Sequence, residues 1–341
     1  RSEKMRNIYD LTIKELEDYF ISINEKKFRA VQVYEALYKR RIKSFDDMTN
    51  ISKEVREKLK QDFSFYKIKM LIKQQGKNVN KYLFELEDGN KIESVLMFHD
   101  YGTSICVSSQ VGCNMTCAFC ESGRLKKVRN LLAYEIVQQI LQIEEDINKR
   151  ITHVVLMGIG EPFDNYDNVL RFVKIINCGK GIDIGSRHIT ISTCGVIPGI
   201  KKFMNEEGQV NLAISLHAPN NTLRSRIMPI NKAYPLNELM ETIKEYINKT
   251  NRRVTFEYIM LDNVNDSEEN AKELALLLKG INCYVNLIPY NETENIEFKR
   301  TKEWKIMKFY DILKKNKINV TIRKEFGGSV DAACGQLRAN N

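Results

Sequence analysis

The sequence predicts an α/β protein: a parallel sheet curling towards a barrel, preceded by a small helical domain and a β-hairpin. Three observations carry this. From about residue 103 strand-like and helix-like segments alternate, the pattern of repeated βα units. Residues 11–64 show helical periodicity instead. Between the two regions the period changes to two around a Gly89–Asn90 turn.

In "LTIKELEDYF" (11–20), Leu11, Ile13, Leu16 and Phe20 fall near helical spacing. "FRAVQVYEALYKRR" (28–41) is a second amphipathic stretch, and "SKEVREKLKQDF" (52–63) a third, opening at a Ser52 cap. "KYLFELEDGNKIESVLMF" (81–98) alternates as two short strands. With residues 1–4 set aside, the expected domains are 5–90, a basic helical unit with its hairpin bridge, and 91–341. In the second domain "TSICVSS", "THVVLMG", "RHITIST", "VNLAISLH", "RVTFEYIM", "YVNLIP" and "NVTIRK" read as strands. "YEIVQQILQIEEDI", "YDNVLRFVKII", "LNELMETIKEYINK", "SEENAKELALLLKG" and "KEWKIMKFYDILKKN" read as the helices between them. Folds of this kind build their sites at the C-terminal ends of the strands.

The balance of 43% hydrophobic and 28% charged residues over 341 positions is that of a globular chain. No run of about 18 apolar residues occurs, so no membrane span is expected. The N-terminal "RSEKMRNIYD" lacks the apolar core of a signal peptide. Eight cysteines without export signals point to a reducing cytoplasm, where cysteines serve as ligands, catalysts or small core residues. The net charge of +9 leans towards an anionic partner, nucleic acid first. "YKRRIK" (38–43), "RLKKVR" (124–129) and "NRRVTF" (251–256) are candidate phosphate contacts.

"VGCNMTCAFCESG" (111–123) places Cys113, Cys117 and Cys120 at C-x3-C-x2-C, with no fourth cysteine close behind. The triplet follows the first βα strand, hence a loop at the catalytic end. Structural zinc takes four protein ligands; a cubane iron–sulfur cluster has four irons. Three cysteines can therefore hold three irons and leave the fourth open to a small chelating molecule. The competing reading is zinc with a distant fourth ligand such as Cys106 or His217. At the next strand end, "MGIGEPFDN" (157–165) offers Gly160 for close approach to the backbone and Glu161 as an acceptor for an ammonium group. Cys334 in "DAACGQLR" (331–338) and Cys106 in "SICVSSQ" are 228 positions apart. First and last strands of a curled sheet are often neighbours. The two thiols then form either a redox or covalent-catalysis pair or two small core residues.

C-x3-C-x2-C with an aromatic, Phe119, before the last cysteine resembles the signature of radical S-adenosylmethionine (SAM) enzymes. Over residues 5–338 the chain resembles the RlmN/Cfr family of radical SAM rRNA adenine methyltransferases, on "SSQVGCNMTCAFC", "RNL", "VVLMGIGEP", "RHITIST", "AISLHAPN", "MPIN", "NLIPYN" and "DAACGQLR". The resemblance implies a partial (βα)6-type barrel, one [4Fe-4S] cluster on Cys113, Cys117 and Cys120, and two SAM per turnover. Gly160, Glu161, Ser192, Ser215, Leu216, His217 and Asn291 match SAM-contacting positions. Cys334 matches the cysteine that takes a methyl from the first SAM. Cys106 matches the cysteine that resolves the adduct as a transient disulfide. Glu93, which on its own pattern reads as a surface glutamate of a strand, matches the proton acceptor.

The resemblance further implies methylation at carbon 2 of an adenosine in the peptidyl-transferase region of 23S rRNA, and of a tRNA anticodon-loop adenosine. The helical domain would grip RNA while the barrel holds the flipped base. The N-terminal region and "MGIGEPFDN…RHITIST" stand nearer this branch than the one that methylates carbon 8 and confers antibiotic resistance. A monomer is expected, served by an external electron donor and a disulfide reductant. A third reading, a non-catalytic zinc- or cluster-bearing RNA-binding protein, would leave Cys334 and Glu161 without a role. Cys194 departs from the family's usual serine, and "ESGRLKKVRNL" from its commoner loops. His99, His153 and His188 carry no signal.

Overall fold

The computed structural model describes residues 4–323 and 336–341. The three expected N-terminal helices form: α1 (Ile13–Ser22), α2 (Arg29–Tyr38) and α3 (Lys53–Asp62). Thr12 and Glu15 close a capping box at the start of α1, and the Ser52 hydroxyl accepts from Val55 N at α3. The ten strands of the main sheet are β1 (Lys69–Gln75), β2 (Val79–Glu85), β3 (Lys91–His99), β4 (Gly102–Cys106) and β5 (His153–Leu156), then β6 (Ile189–Thr193), β7 (Asn211–Ser215), β8 (Val254–Met260), β9 (Cys283–Pro289) and β10 (Val320–Ile322). Their order across the sheet is their order along the chain. Pairing is antiparallel from β1 to β4 and parallel from β4 to β10.

The parallel strands are joined by α4 (Ala133–Ile147), α5 (Tyr166–Asn177), α6 (Ile197–Phe203), α7 (Leu236–Thr250), α8 (Glu268–Leu277) and α9 (Glu303–Lys315). That makes six βα units and a seventh short strand, a partial barrel. In α4 the apolar residues Ile136, Val137, Ile140 and Ile143 recur at helical spacing and are buried. The helix stops where Asn148 turns to φ +47°.

Three expectations need correction. The antiparallel part is larger than one hairpin, because β1 was not anticipated. Its burial alternates between exposed and half-buried, as befits a solvated edge strand, so "KMLIKQQ" shows no apolar stripe. The boundary expected between residues 90 and 91 falls inside the β2–β3 turn, closed by Leu86 N to Asn90 O at 2.8 Å, between strands paired along their length. β3 in turn pairs with β4, so hairpin and barrel share one sheet, and the helical unit ends before β1. Finally, β4 and β10 are not hydrogen-bonded neighbours. Among the described residues the sheet stays open, yet it curls enough for Cys106, ending β4, and Arg323, following β10, to line one cavity.

The helical unit shares the main core. Tyr34 and Tyr38 pack edge to face at 5.0 Å over Gly181, at the far end of α5. Asp10 accepts from Tyr134 N at 3.0 Å, and Arg171 and Arg41 of one unit or the other pair with Glu15 and Glu144. His99 stacks on Tyr101 and His153 on His188, with Tyr101 edge to face against His153, by the N-terminal ends of β4, β5 and β6, the end away from the predicted site.

Candidate active site

The C-terminal ends of the parallel strands, with the inner face of β3, enclose a cavity of about 340 Å³. Its wall carries Cys113, Cys117 and Cys120, together with Glu93, Cys106, Gly160, Glu161, Ser192, Ser215, His217 and Asn291. These positions span some 200 residues of sequence, and the curl of the sheet brings them together. Leu216 is the exception. Strand alternation turns its side chain into the apolar core, while its carbonyl accepts from Arg224 Nε at 3.1 Å. Cys334 lies outside the described residues.

The cysteine loop is built by backbone geometry. Gly112 sits at φ +77°, and a Cβ there would stand 2.1 Å from the Lys126 carbonyl oxygen. Cys113 N bonds Leu125 O at 2.8 Å, Cys120 N bonds Cys117 O at 3.1 Å, and Ala118 N bonds Ile227 O at 2.9 Å. The loop is thus tied to itself and to the segment after β7. Burial pushes the Cys113 thiol up to about 12 and raises Cys117 and Cys120 as well. Such thiols become thiolates when a cation takes them. Among the described residues, no three His, Cys, Asp or Glu side chains converge as one metal ion would require. Three thiols spaced around a cavity wall suit a cluster whose irons each take one sulfur, and they do not suit mononuclear zinc. The donor set fits the [4Fe-4S] cluster.

Glu161 is buried beside them. Its Oε1 accepts from Phe163 N at 3.1 Å and its Oε2 from Cys194 N at 2.8 Å. Its own N–H donates to Gln110 Oε1 at 2.9 Å. Burial raises its carboxyl, and these bonds pull the other way. Gly160, at φ +109°, passes so close to Gln110 that a Cβ would meet that side chain at 2.6 Å. The Cys194 thiol, the departure noted above, bonds the Glu161 carboxylate where a serine hydroxyl would do the same.

His217 has φ +59° and an imidazole edge-to-face with Phe119 at 4.9 Å. Its Nδ1 accepts from Ile259 N at 2.9 Å, so Nε2 carries the proton. Burial holds it down to about 3, and it stays neutral. Glu93, expected on a surface, is 2% exposed, because the face of β3 it occupies is turned inward. Cys106 is half-buried in the cavity wall, and desolvation pushes its thiol up to about 11.

Sequence reasoning missed several residues. Arg224, with no exposure, donates to the carbonyls of Cys194 (2.6 Å), Ser215 (3.0 Å) and Leu216 (3.1 Å), pinning the ends of β6 and β7. Glu257 and Asn286, joined at 3.0 Å, sit on β8 and β9 in the barrel interior. No spacing announces them, since each depends on which strand ends meet. The basic stretches also look different in place. Lys127 pairs with Asp164, Arg129 with Asp88 and Glu135, and Arg41 with Glu144. Arg252 caps the carbonyls of Gln209 and Val210. Most of these cations hold the fold, and 251–256 lies at the start of β8, away from the cavity. No described helix is long and apolar enough to cross a membrane.

Comparison with known proteins gives the same picture. A family model for the ribosomal RNA large subunit methyltransferase N-terminal domain matches residues 6–64, and one for the radical SAM superfamily matches residues 107–275. A protein of Spiroplasma citri named a probable dual-specificity RNA methyltransferase RlmN is 54% identical, over 99% of this chain and 98% of its own length. An Enterococcus faecalis protein of the same name is 54% identical over 98% of this chain and 96% of its own. The crystal structure of a radical SAM methyltransferase from Sphaerobacter thermophilus matches with a TM-score of 0.92 and 40% identity, covering 97% of this chain and 98% of that one.

Proposed function

The chain belongs to the RlmN family of radical SAM RNA methyltransferases, which work with a [4Fe-4S] cluster and SAM, and from that premise we propose that it methylates carbon 2 of an adenosine in the peptidyl-transferase region of 23S rRNA and of an adenosine in the tRNA anticodon loop. The observation that carries this reading is one cavity that the thiols of Cys113, Cys117 and Cys120 share with Cys106 and with the buried carboxylates of Glu93 and Glu161, among others. Ordinary methyl transfer from SAM needs a nucleophilic acceptor, and an adenine ring carbon is not one.

Bound in this cavity, the cluster and SAM supply a carbon radical able to take hydrogen from a methyl group. Cys113, Cys117 and Cys120 would hold three irons and leave the fourth to the amino and carboxylate groups of SAM. Glu161 would accept from that amino group, with Gly160, Ser192, Ser215, His217 and Asn291 around the remainder. Cys334 would carry the methyl as a thioether. Once its carbon is joined to the base, Glu93 would take the ring proton. Cys106 would then attack the Cys334 sulfur: an S–S bond forms, the C–S bond breaks, the freed methylene takes a proton to become the methyl group, and the unpaired electron leaves the adduct. An external electron donor and a thiol reductant complete the cycle. A reducing cytoplasm supplies both, and we place the protein there as a monomer.

The test is mass spectrometry of nucleosides from 23S rRNA and tRNA of a methylation-null host expressing this chain. 2-Methyladenosine in both is expected. 8-Methyladenosine would overturn the carbon assignment, and no methyladenosine from an enzyme that cleaves SAM would overturn the substrate.

A further inference from the structure

We propose that Lys81 is a positioning residue for the proton-accepting step, its ammonium fixing the Glu93 carboxylate in the cavity wall; this rests on the reading of Glu93 as proton acceptor. Lys81 Nζ stands 3.2 Å from Glu93 Oε1, with side-chain exposures of 0% and 2%. The strand register produces this contact. Lys81 on β2 lies opposite Val95 on β3, and Val95 lies opposite Cys106 on β4. The three form one row across three strands, on one face of the sheet. Glu93, two residues before Val95, points to that same face and meets Lys81 on the diagonal. Glu93, Val95 and Cys106 line the cavity, and Lys81 stands one strand behind them.

A fully buried ammonium is an expensive way to fill a sheet, where an apolar side chain of similar size generally serves stability as well or better. Its use here is directional. Oε1 of Glu93 is held by Lys81, while Oε2 accepts the N–H of Arg338, four residues after Cys334, at 3.2 Å. The carboxylate is thereby fixed from both sides, from the sheet and from the C-terminal segment. In the step itself the ring C–H bond breaks, an O–H bond forms on Glu93, and the electron pair stays in the base. Glu93 must present its carboxylate at the correct point when the base arrives, and the contact with Lys81 holds it there.

The test compares Lys81→Met, Lys81→Arg and Glu93→Gln in the full-length, cluster-loaded enzyme with a 23S rRNA fragment. Three quantities are read: methylation of Cys334 by peptide mass, covalent protein–RNA species on a denaturing gel, and methyladenosine. Lys81→Met is expected to methylate Cys334 at the wild-type level, to lose at least ~10-fold in methyladenosine, and to accumulate the covalent species, as Glu93→Gln does. Lys81→Arg should regain a third or more of the product. Methyladenosine within ~2-fold of wild type in Lys81→Met, beside a stalled Glu93→Gln, would overturn the role of Lys81 alone. Equal loss of Cys334 methylation and product would reduce Lys81 to a structural residue and overturn it too. Normal turnover in Glu93→Gln would overturn the proton-acceptor reading, and this inference with it.

Discussion

Oε2 of Glu93 accepts a hydrogen bond from the backbone N–H of Arg338 at 3.2 Å, joining the cavity-lining strand β3 to the short helix Gln336–Ala339 across 245 positions of sequence. Leu337 beside it is 1% exposed, and Lys91 Nζ reaches the Asn341 carbonyl at 2.8 Å. Removing residues 336–341 takes away these anchors and none of the cluster ligands. Iron and sulfide content should stay as in the full chain, while methyladenosine formation falls at least ~10-fold. Both are measured on the same anaerobic preparation.

Replacing Cys113, Cys117 or Cys120 singly by alanine should abolish iron binding, the visible absorption and product formation, the last by ~100-fold or more, since no other thiol lies on that loop to take the vacant place. Elemental analysis with absorption spectra checks this. Retained iron in any one variant would break the assignment of that cysteine.

In Glu161→Gln, the new amide can keep only one of the two acceptors facing Phe163 N and Cys194 N. We expect a loss of about 1–3 kcal/mol of stability and a KM for SAM raised at least ~10-fold. Cys194→Ser retains a donor to Glu161 and should keep SAM cleavage within ~3-fold.

Burial pushes the Cys106 thiol up to about 11, so at neutral pH the thiolate that we propose attacks Cys334 is the minor form. In single-turnover experiments the decay of the covalent protein–RNA species should speed by about tenfold per pH unit between 7 and 9. Flat kinetics over that range would place another step in control.

His217 is held down to about 3, and His153 is also lowered, by burial first and then by His188 and His99. Each binds its proton more readily in the unfolded chain. Their contribution is therefore complete above the unfolded value near 6.5 and declines as the pH falls below it towards the folded values. Urea midpoints should drop between pH 7 and 5, with each histidine worth up to about 1.4 kcal/mol per unit. The slope should lessen in His217→Gln.

The cysteine triplet and "MGIGEPFDN" were legible because each gathers its distinctive groups within a few consecutive residues at one strand end. The alternation of βα units gave the barrel for the same local reason. What was not legible depends on register and closure. Glu93 looks like a surface residue until β3 is seen to turn that face inward. Lys81 and Cys106 share a row only because two turns set the register of three strands. Arg224 gains its meaning from carbonyls on two different strand ends. β1 carries no apolar stripe, and within the basic stretches Arg41, Lys127 and Arg129 sit in internal ion pairs that no spacing announces.

The sheet runs in the order of the chain, each strand beside its predecessor. A polypeptide laid out this way can add its strands one at a time as it emerges from the ribosome, with no gap left for a later strand to fill. The segment that docks on Glu93 through Arg338 comes after all ten of these strands, so the sheet can be in place before that anchor arrives.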